Sequence, residues 1–529
     1  MTDVTDVSGT APLLRFILRR DRVRLTVWVV GIAVLVASSA SSVEGLYPTA
    51  ADLRGAASMI RDNAAVIAMN GPPIGLDTLG GRVVFELGAF TFVVVALMNI
   101  FLVGRHTRAE EETGRTELLR AGAVGRQAPV TATLLAAVLI NLVVAALVAA
   151  ALAGIGLAVT GSLAFATALA AVGVFFAALT AVTAQVSEHT RVAYGLASSV
   201  LGVAYVLRAV GDGGNGVLSW LSPIGWGQAI RAFAGERWWV LVLPIGGAVA
   251  LVAVAFAVAS RRDVGAGLIR PGPGSPAAST GLVRPVGLAL RLQRGSIIGW
   301  SVGLFLGGAA YGSIGKDVED FVGDNESLSD IIAQAGGNLT DSYFATTLLI
   351  LALVGTGFAV QSTMRLRGEE TAGRAEPLLA TGLSRSGWVI SHLVLAVVGS
   401  ALMLLAAGFG IGLTYGISIG DLGQVPGLVG AALVHLPAMW VFVGVTMLLY
   451  GRFPGAVLTA WVALAACLVV GFLGQLLGLP EWLRELSPFE HTPPLPAEGL
   501  DVMPLVLLAM IAAALIAGGV AAFGRRDIG

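Results

Sequence analysis

Long runs of apolar side chains alternate with short charged islands along the whole chain. The runs fall at about 25–45, 83–104, 128–158, 162–185, 191–210 and 239–260, then at about 296–315, 342–364, 387–415, 427–450, 453–477 and 502–523. A helix needs about 20 such residues to cross a bilayer. The pattern predicts an all-α polytopic membrane protein with about twelve transmembrane helices. The third and ninth runs exceed one bilayer thickness, so they tilt or project beyond it. Residues 1–12 are polar, and residues 13–24, LLRFILRRDRVR, place apolar and basic side chains at helical spacing. Two readings fit this segment. It is an amphipathic helix lying on the membrane with arginines on lipid phosphates, or a basic stop signal that only orients the first span. No small-residue cleavage site follows the first run, so it reads as a retained helix.

One charged island returns. Arg108-Ala-Glu110-Glu111-Glu-Thr-Gly114-Arg115-Thr-Glu117 aligns without a gap on Arg367-Gly-Glu369-Glu370-Thr-Ala-Gly373-Arg374-Ala-Glu376, 259 positions later. The shared pattern is R-x-E-E-x-x-G-R-x-E, followed by leucines. Other pairs repeat as well: Arg261-Arg262-Asp263-Val264-Gly265 with Arg525-Arg526-Asp527-Ile528-Gly529, Leu221-Ser222-Pro223 with Leu486-Ser487-Pro488, and Trp28 with Trp300. The chain reads as a duplication. A cytoplasmic segment, 1–24, precedes a first six-helix half, 25–265. A Pro/Gly/Ser linker, 266–286, leads to a second half, 287–529. Six spans per half make the repeats parallel.

Composition sharpens this picture. The chain is 56% apolar and 12% charged, half the charge of a soluble domain. With the N-terminus inside, 24 of the 32 Lys and Arg side chains fall on cytoplasmic segments. That bias places both termini in the cytoplasm of a bacterial plasma membrane. The acids Asp317, Glu319, Asp320, Asp324, Glu326 and Asp330 lean to the other side. Net charge is near zero, so the total says nothing about partners, and no nucleic acid is expected. One cysteine, Cys467, rules out an internal disulfide and a cysteine metal cluster. Four outside segments exceed simple loops: 46–82 and 316–341 have room for short helices, and the aromatic, proline-containing 211–238 and 478–501 either dip back into the bilayer or form an interfacial belt.

Read as one helix, the repeated pattern sets Glu111 four residues before Arg115 and Glu370 four before Arg374. Such exposed pairs stabilise a helix by only about 0.3 kcal/mol each. Glu110, Gly114 and Glu117 then share a face, as do Glu369, Gly373 and Glu376. Carboxylates around a glycine allow close backbone approach and suit docking of a cationic protein patch. A solvated loop obeying the positive-inside bias is the plainer reading, and duplication in register favours docking.

The pattern resembles the membrane subunits of ABC-2 type transporters, whose loop between second and third spans carries an E-x-x-G-R/T-x-E-x-L-type sequence. The matching residues are Glu110, Glu111, Gly114, Arg115, Glu117 and Leu118, then Glu369, Glu370, Gly373, Arg374, Glu376 and Leu378. Over nearly its whole length the chain is similar to actinobacterial permeases described as exporters of polyketide antibiotics and related to multidrug efflux systems. The resemblance implies an exporter of apolar or amphipathic compounds, with membrane lipid as surroundings. It also implies two coupling helices gripped by two copies of a separate P-loop ATPase, which would carry the ATP and Mg²⁺. Charge reversal at Glu111 and Glu117 would then detach the ATPase and leave the membrane fold intact. The same likeness makes the second and fifth spans of each half cavity walls, here including Phe90, Phe92, Asn99, Tyr194, Tyr205, Phe358, Gln361 and Trp461. The second copy departs from the first in carrying Pro377 where the first has Leu118.

No cofactor is expected in the chain itself. Gly312-Ser-Ile-Gly315-Lys316-Asp317 lacks the spacing and the Ser/Thr of a P-loop. His106, His189, His392, His435 and His491 show no paired metal spacing, and no catalytic pair lies within the spans, so the chain reads as a transport subunit and not an enzyme. Polar residues within the runs are Glu86, Asn99, Asn141, Gln361 and His435. Glu86 sits beside Arg82 near one membrane surface. Interhelical hydrogen bonding or a substrate path accounts for Asn99 and Gln361. A proton-coupled facilitator, also of twelve spans, predicts mid-membrane acids and a short basic G-x-x-x-D-R-x-G-R-R loop, which this chain lacks. Lipid or cell-envelope export remains open within the ABC-2 reading.

Overall fold

The computed structural model describes residues 6–61, 64–120, 124–261, 267–269, 276–323, 339–473 and 481–527. Residues 266 and 270–275 of the expected linker, Arg262–Gly265, Ile528–Gly529 and the acids Asp324, Glu326 and Asp330 lie outside them. The described residues are helical throughout, with no strand among them. Among the described residues, eleven helices are long and apolar enough to cross a membrane, and the chain is an all-α, multi-pass membrane protein. It divides into two compact units, Met1–Pro273 and Gly274–Gly529.

In the first unit, α1 (Thr10–Arg20) is the amphipathic helix, burying Leu13 and Ile17. It ends four residues earlier than the sequence pattern suggests. Asp21 interrupts the chain, and Arg22 and Arg24 already belong to the first span, α2 (Arg22–Leu46). Next come α3 (Ala50–Arg61) and α4 (Ala64–Asn70), which fill the first long segment between spans. The second span is α5 (Leu79–His106), started by Thr78, whose hydroxyl accepts from the Gly81 amide. Two short helices, α6 (Arg108–Glu112) and α7 (Arg115–Arg120), carry the first charged motif. The spans α8 (Ala128–Gly154), α9 (Val159–Val186) and α10 (Thr190–Asp212) follow, then the short α11 (Pro223–Gln228) and the last span, α12 (Val242–Ala259). The hub is α9, which packs on α5, α8, α10 and α12. Asn99 of α5 and Asn141 of α8 form a reciprocal amide pair (3.1 and 2.8 Å), fully buried between their helices. This is the interhelical bonding reading of Asn99.

The repeated Leu-Ser-Pro starts α11: Ser222 caps it and Pro223 takes the first turn, where a missing N–H costs nothing. From there α11 descends between α5 and α9. A Cβ on Gly227 would meet the Phe92 ring at 2.6 Å and Val172 at 3.1 Å. Phe92 and Val172 lie halfway along their 28-residue helices. Segment 211–238 therefore re-enters the bundle. Its polar groups find protein partners, as re-entry demands: Ser222 donates to the Ala204 carbonyl and Gln228 to that of Asn70.

The second unit repeats this plan with two changes. Its first helix, α13 (Pro285–Gly323), is continuous, so the counterpart of α1 is fused to the span. The second span is α14 (Leu339–Thr371), leading into the short α15 (Ala375–Leu379). Pro377 falls in the first turn of α15, where it is tolerated. After α16 (Arg385–Ile419), the fourth span is split into α17 (Gln424–Leu433) and α18 (Leu436–Arg452). Pro437, near the start of α18, supplies no N–H to continue the ladder. Buried His435 sits at the break and hydrogen-bonds Thr492 (2.9 Å), while Phe489 packs on Phe442. Segment 478–501 thus also reaches the middle of a span. The expected span at 453–477 is represented by α19 (Thr459–Leu473), of 15 residues, with 474–480 outside the described set. The short α20 (Glu481–Arg484) and the last span, α21 (Val502–Gly524), complete the unit.

Candidate functional site

Each charged motif follows the end of a second span and is a helix, a glycine turn and a second short helix. Gly114 has φ +72° and Gly373 φ +66°, the left-handed conformation that costs other residues about 1–2 kcal/mol. In the second turn Gly373 N–H donates to the Glu370 carbonyl (2.9 Å) and Arg374 N–H to that of Glu369 (3.0 Å). These paired bonds close a helix around a left-handed residue. Gly114 N–H makes the matching bond to the Glu111 carbonyl (3.0 Å). Nothing lies within 4 Å of a Cβ built on either glycine. The glycines are therefore helix stops, and within the chain no neighbour crowds them. Nor does the motif run as one helix, so the expected Glu111–Arg115 and Glu370–Arg374 pairs do not form. Beyond the stop, the chain turns away from the face that Glu110 or Glu369 occupies.

The acids before the glycine point into the protein. In the first turn Glu110 accepts from Arg20 of α1 (2.6 Å) and lies 3.4 Å from His106 Nδ1. His106 Nε2 is 2.7 Å from Asp21, which also pairs with Arg105 (3.1 Å). This knot explains why the chain breaks at Asp21: the carboxylate is buried and its partners sit on α5. Glu111 pairs with buried Arg108 (2.6 Å). In the second turn Glu369 is held by Arg365 (2.7 Å) and Arg374 (2.6 Å). The Glu369 hydrogen bond holds the Arg374 pKa above its ordinary value. Glu370 binds Arg526 and accepts from the Tyr450 hydroxyl (2.6 Å). The Arg526 guanidinium lies over the Tyr450 and Phe523 rings at 4.9 and 5.2 Å.

The residues after the glycine face outward. Arg115, Glu117 and Glu376 are exposed, and so is Arg374, although its head is tied to Glu369. Leu378 packs against the apolar cluster around Trp388 and Tyr450. Leu118 lies in α7, and its side chain is outside the described set. Charge reversal at Glu111 is therefore no clean probe of docking, since it would set a second cation beside buried Arg108.

The path residues take different surroundings within each unit. Phe90 is exposed on the outer face of α5. Phe92, Asn99 and Phe358 are fully buried in packed interiors. Tyr194 packs edge-on to Phe101, and Tyr205 donates to the Met69 carbonyl (2.9 Å). Gln361 accepts from Trp300 Nε1 (2.7 Å) and lines an open groove of about 620 Å³ with Gly299, Gly303 and Gly307. Trp461 lies beside Trp300 over Gly357. Arg82 pairs with Glu86 (2.7 Å), as their spacing suggests.

The family described as "Multidrug efflux system permease Rv1217c, C-terminal domain" matches the chain twice, over residues 12–259 and 282–524. The chain belongs to this family of efflux permeases. It is 43% identical over 525 residues to the "Multidrug efflux system permease protein Rv1217c" of Mycobacterium tuberculosis, covering 98% of this chain and 95% of that protein. The permease is a transport protein of the class its repeated motif resembles. Sequence reasoning missed three residues that hold the permease's turns in place. Glu112, Tyr450 and Arg526 lie outside the shared pattern. The one signal for Glu112 was the run of three acids in the first copy against Glu-Glu-Thr in the second.

Proposed function

We propose that the chain is the membrane subunit of an ATP-driven exporter in the bacterial plasma membrane, with both termini cytoplasmic. Its cargo is an apolar or amphipathic small molecule. Two copies of a separate P-loop ATPase dock on the turns at α6–α7 and α14–α15, and their closure on ATP moves the helix bundles. The observation that carries this reading is the pair of matching turns. Each has its first acids fastened inward and its last charged residues presented to solvent. A loop serving only topology needs positive charge, and it needs no repeated left-handed stop with a fixed set of inward anchors. Buried anchors hold the turn stiff, which a surface receiving a push requires.

The test is purification of the permease from its native host with whatever binds it, followed by ATPase assay. A stoichiometric P-loop ATPase is expected. It should be lost when Arg115→Glu, Glu117→Arg and Glu376→Arg are combined, with the permease still folded. A permease that purifies alone and transports on a proton gradient refutes the reading.

A further inference from the structure

Helix α10 is fastened at both ends. At one end the Glu112 carboxylate accepts from the Thr190 amide (3.0 Å) and from its hydroxyl. Thr190 is the first residue of α10, so the first charged turn holds the fifth span by its starting edge. One turn further along, the Tyr194 ring lies flat on α5, where a Cβ on Gly104 would meet it at 2.1 Å. At the other end the Tyr205 hydroxyl (2.9 Å) and Arg208 Nη2 (3.1 Å) donate to one acceptor, the Met69 carbonyl at the end of α4. Arg208 is fully buried, lies over the Tyr205 ring at 4.4 Å, and is paired with Asp212 (3.5 Å). From Thr190 to Arg208 α10 runs without a proline, a length of about 27 Å.

Resting on the reading of the turns as ATPase docking sites, we propose that Glu112 and Thr190 are positioning residues. They make α10 the strut through which the first turn acts on the α4 segment at Met69. A push that shifts α6 pulls Thr190, and an unbroken helix passes that displacement to the Met69 carbonyl. The second turn has Thr371 at the position of Glu112, so it cannot grip its own fifth span by a carboxylate there.

The test uses the permease with its co-purified ATPase in nanodiscs, in a Cys467→Ala background with Met69→Cys as reporter. Labelling by a membrane-impermeant maleimide is timed without nucleotide and with ATP and vanadate. The rate should differ by roughly fivefold or more between the two states, the scale of ordinary site-to-site coupling. In Thr190→Val, which removes the hydroxyl donor to Glu112 and leaves the docking turn itself unchanged, the difference should shrink at least twofold while the ATPase stays bound at full stoichiometry. Thr190→Ser, which keeps both donors, should retain it. Tyr205→Phe, which removes one hold at the far end, should reduce it. An undiminished nucleotide response in Thr190→Val overturns the strut and leaves the docking reading standing. A bound ATPase with no response in the parent protein also overturns the strut alone. Failure of any ATPase to co-purify overturns both.

Discussion

The two charged turns share a sequence pattern and a left-handed glycine, yet each is fastened to a different part of its own unit. The first is tied to the N-terminal helix through Arg20 and to the fifth span through Thr190. The second is tied to the fourth span through Tyr450 and to the chain's far end through Arg526. Their first acids also differ in depth. Glu369 sits between two arginines and is almost wholly buried, while Glu110 shares a partly exposed arginine. A repeated motif therefore fixes the shape of a turn, and unrepeated residues decide what the turn is connected to.

The strongest way to sharpen this comparison is to remove the first acid from each turn. Glu369→Ala removes the buried carboxylate that pairs with both Arg365 and Arg374 and should cost about 1.5–3 kcal/mol, the scale of hydrogen bonds to charged groups. Glu110→Ala should cost only about 1 kcal/mol, the scale of an exposed pair. Thermal unfolding of the two variants in one detergent compares them, and equal losses would break the asymmetry. Replacing the stop glycines should cost less. Gly114→Ala and Gly373→Ala each face a backbone penalty of about 1–2 kcal/mol with no clash. Their losses should therefore match, and unequal ones would show that the turns are not equivalent in shape. Smaller still in its global effect is Arg526→Ala. Hydrogen exchange should speed up at α15 and stay unchanged at α7, because only the second turn uses that anchor. Least disturbing to stability are Glu117→Arg and Glu376→Arg, expected within about 0.5 kcal/mol of the parent. Their effect should appear in ATPase retention alone.

Much of the fold was legible because bilayer crossing leaves a plain record in apolar run length, and duplication doubles the signal. The amphipathic α1, the charged turns and the helices within 46–82 all follow from local pattern. Other features were hidden because their causes are distant in sequence. Nothing near Asp21 announces a break, since its partners His106 and Arg105 lie on another helix. The inward orientation of Glu370 depends on Arg526, 156 residues away. The helix-stopping role of the glycines was not legible for a different reason: a pattern read as one continuous helix gives no sign of the positive φ at Gly114 and Gly373. The path residues were chosen by span and aromatic character, which do not reveal whether a ring is exposed, as Phe90 is, or sealed in the interior, as Phe358 is.

The separate anchoring of the turns sets an order of assembly during synthesis. Everything that fastens the first turn has been made once the ribosome passes Thr190. The second turn has no complete set of partners until Arg526 is added. At about 5–20 residues per second, the two events lie roughly twenty seconds to a minute apart. From the addition of Glu376 until that of Arg526, a nascent permease thus carries one fully fastened turn beside one that still lacks an anchor.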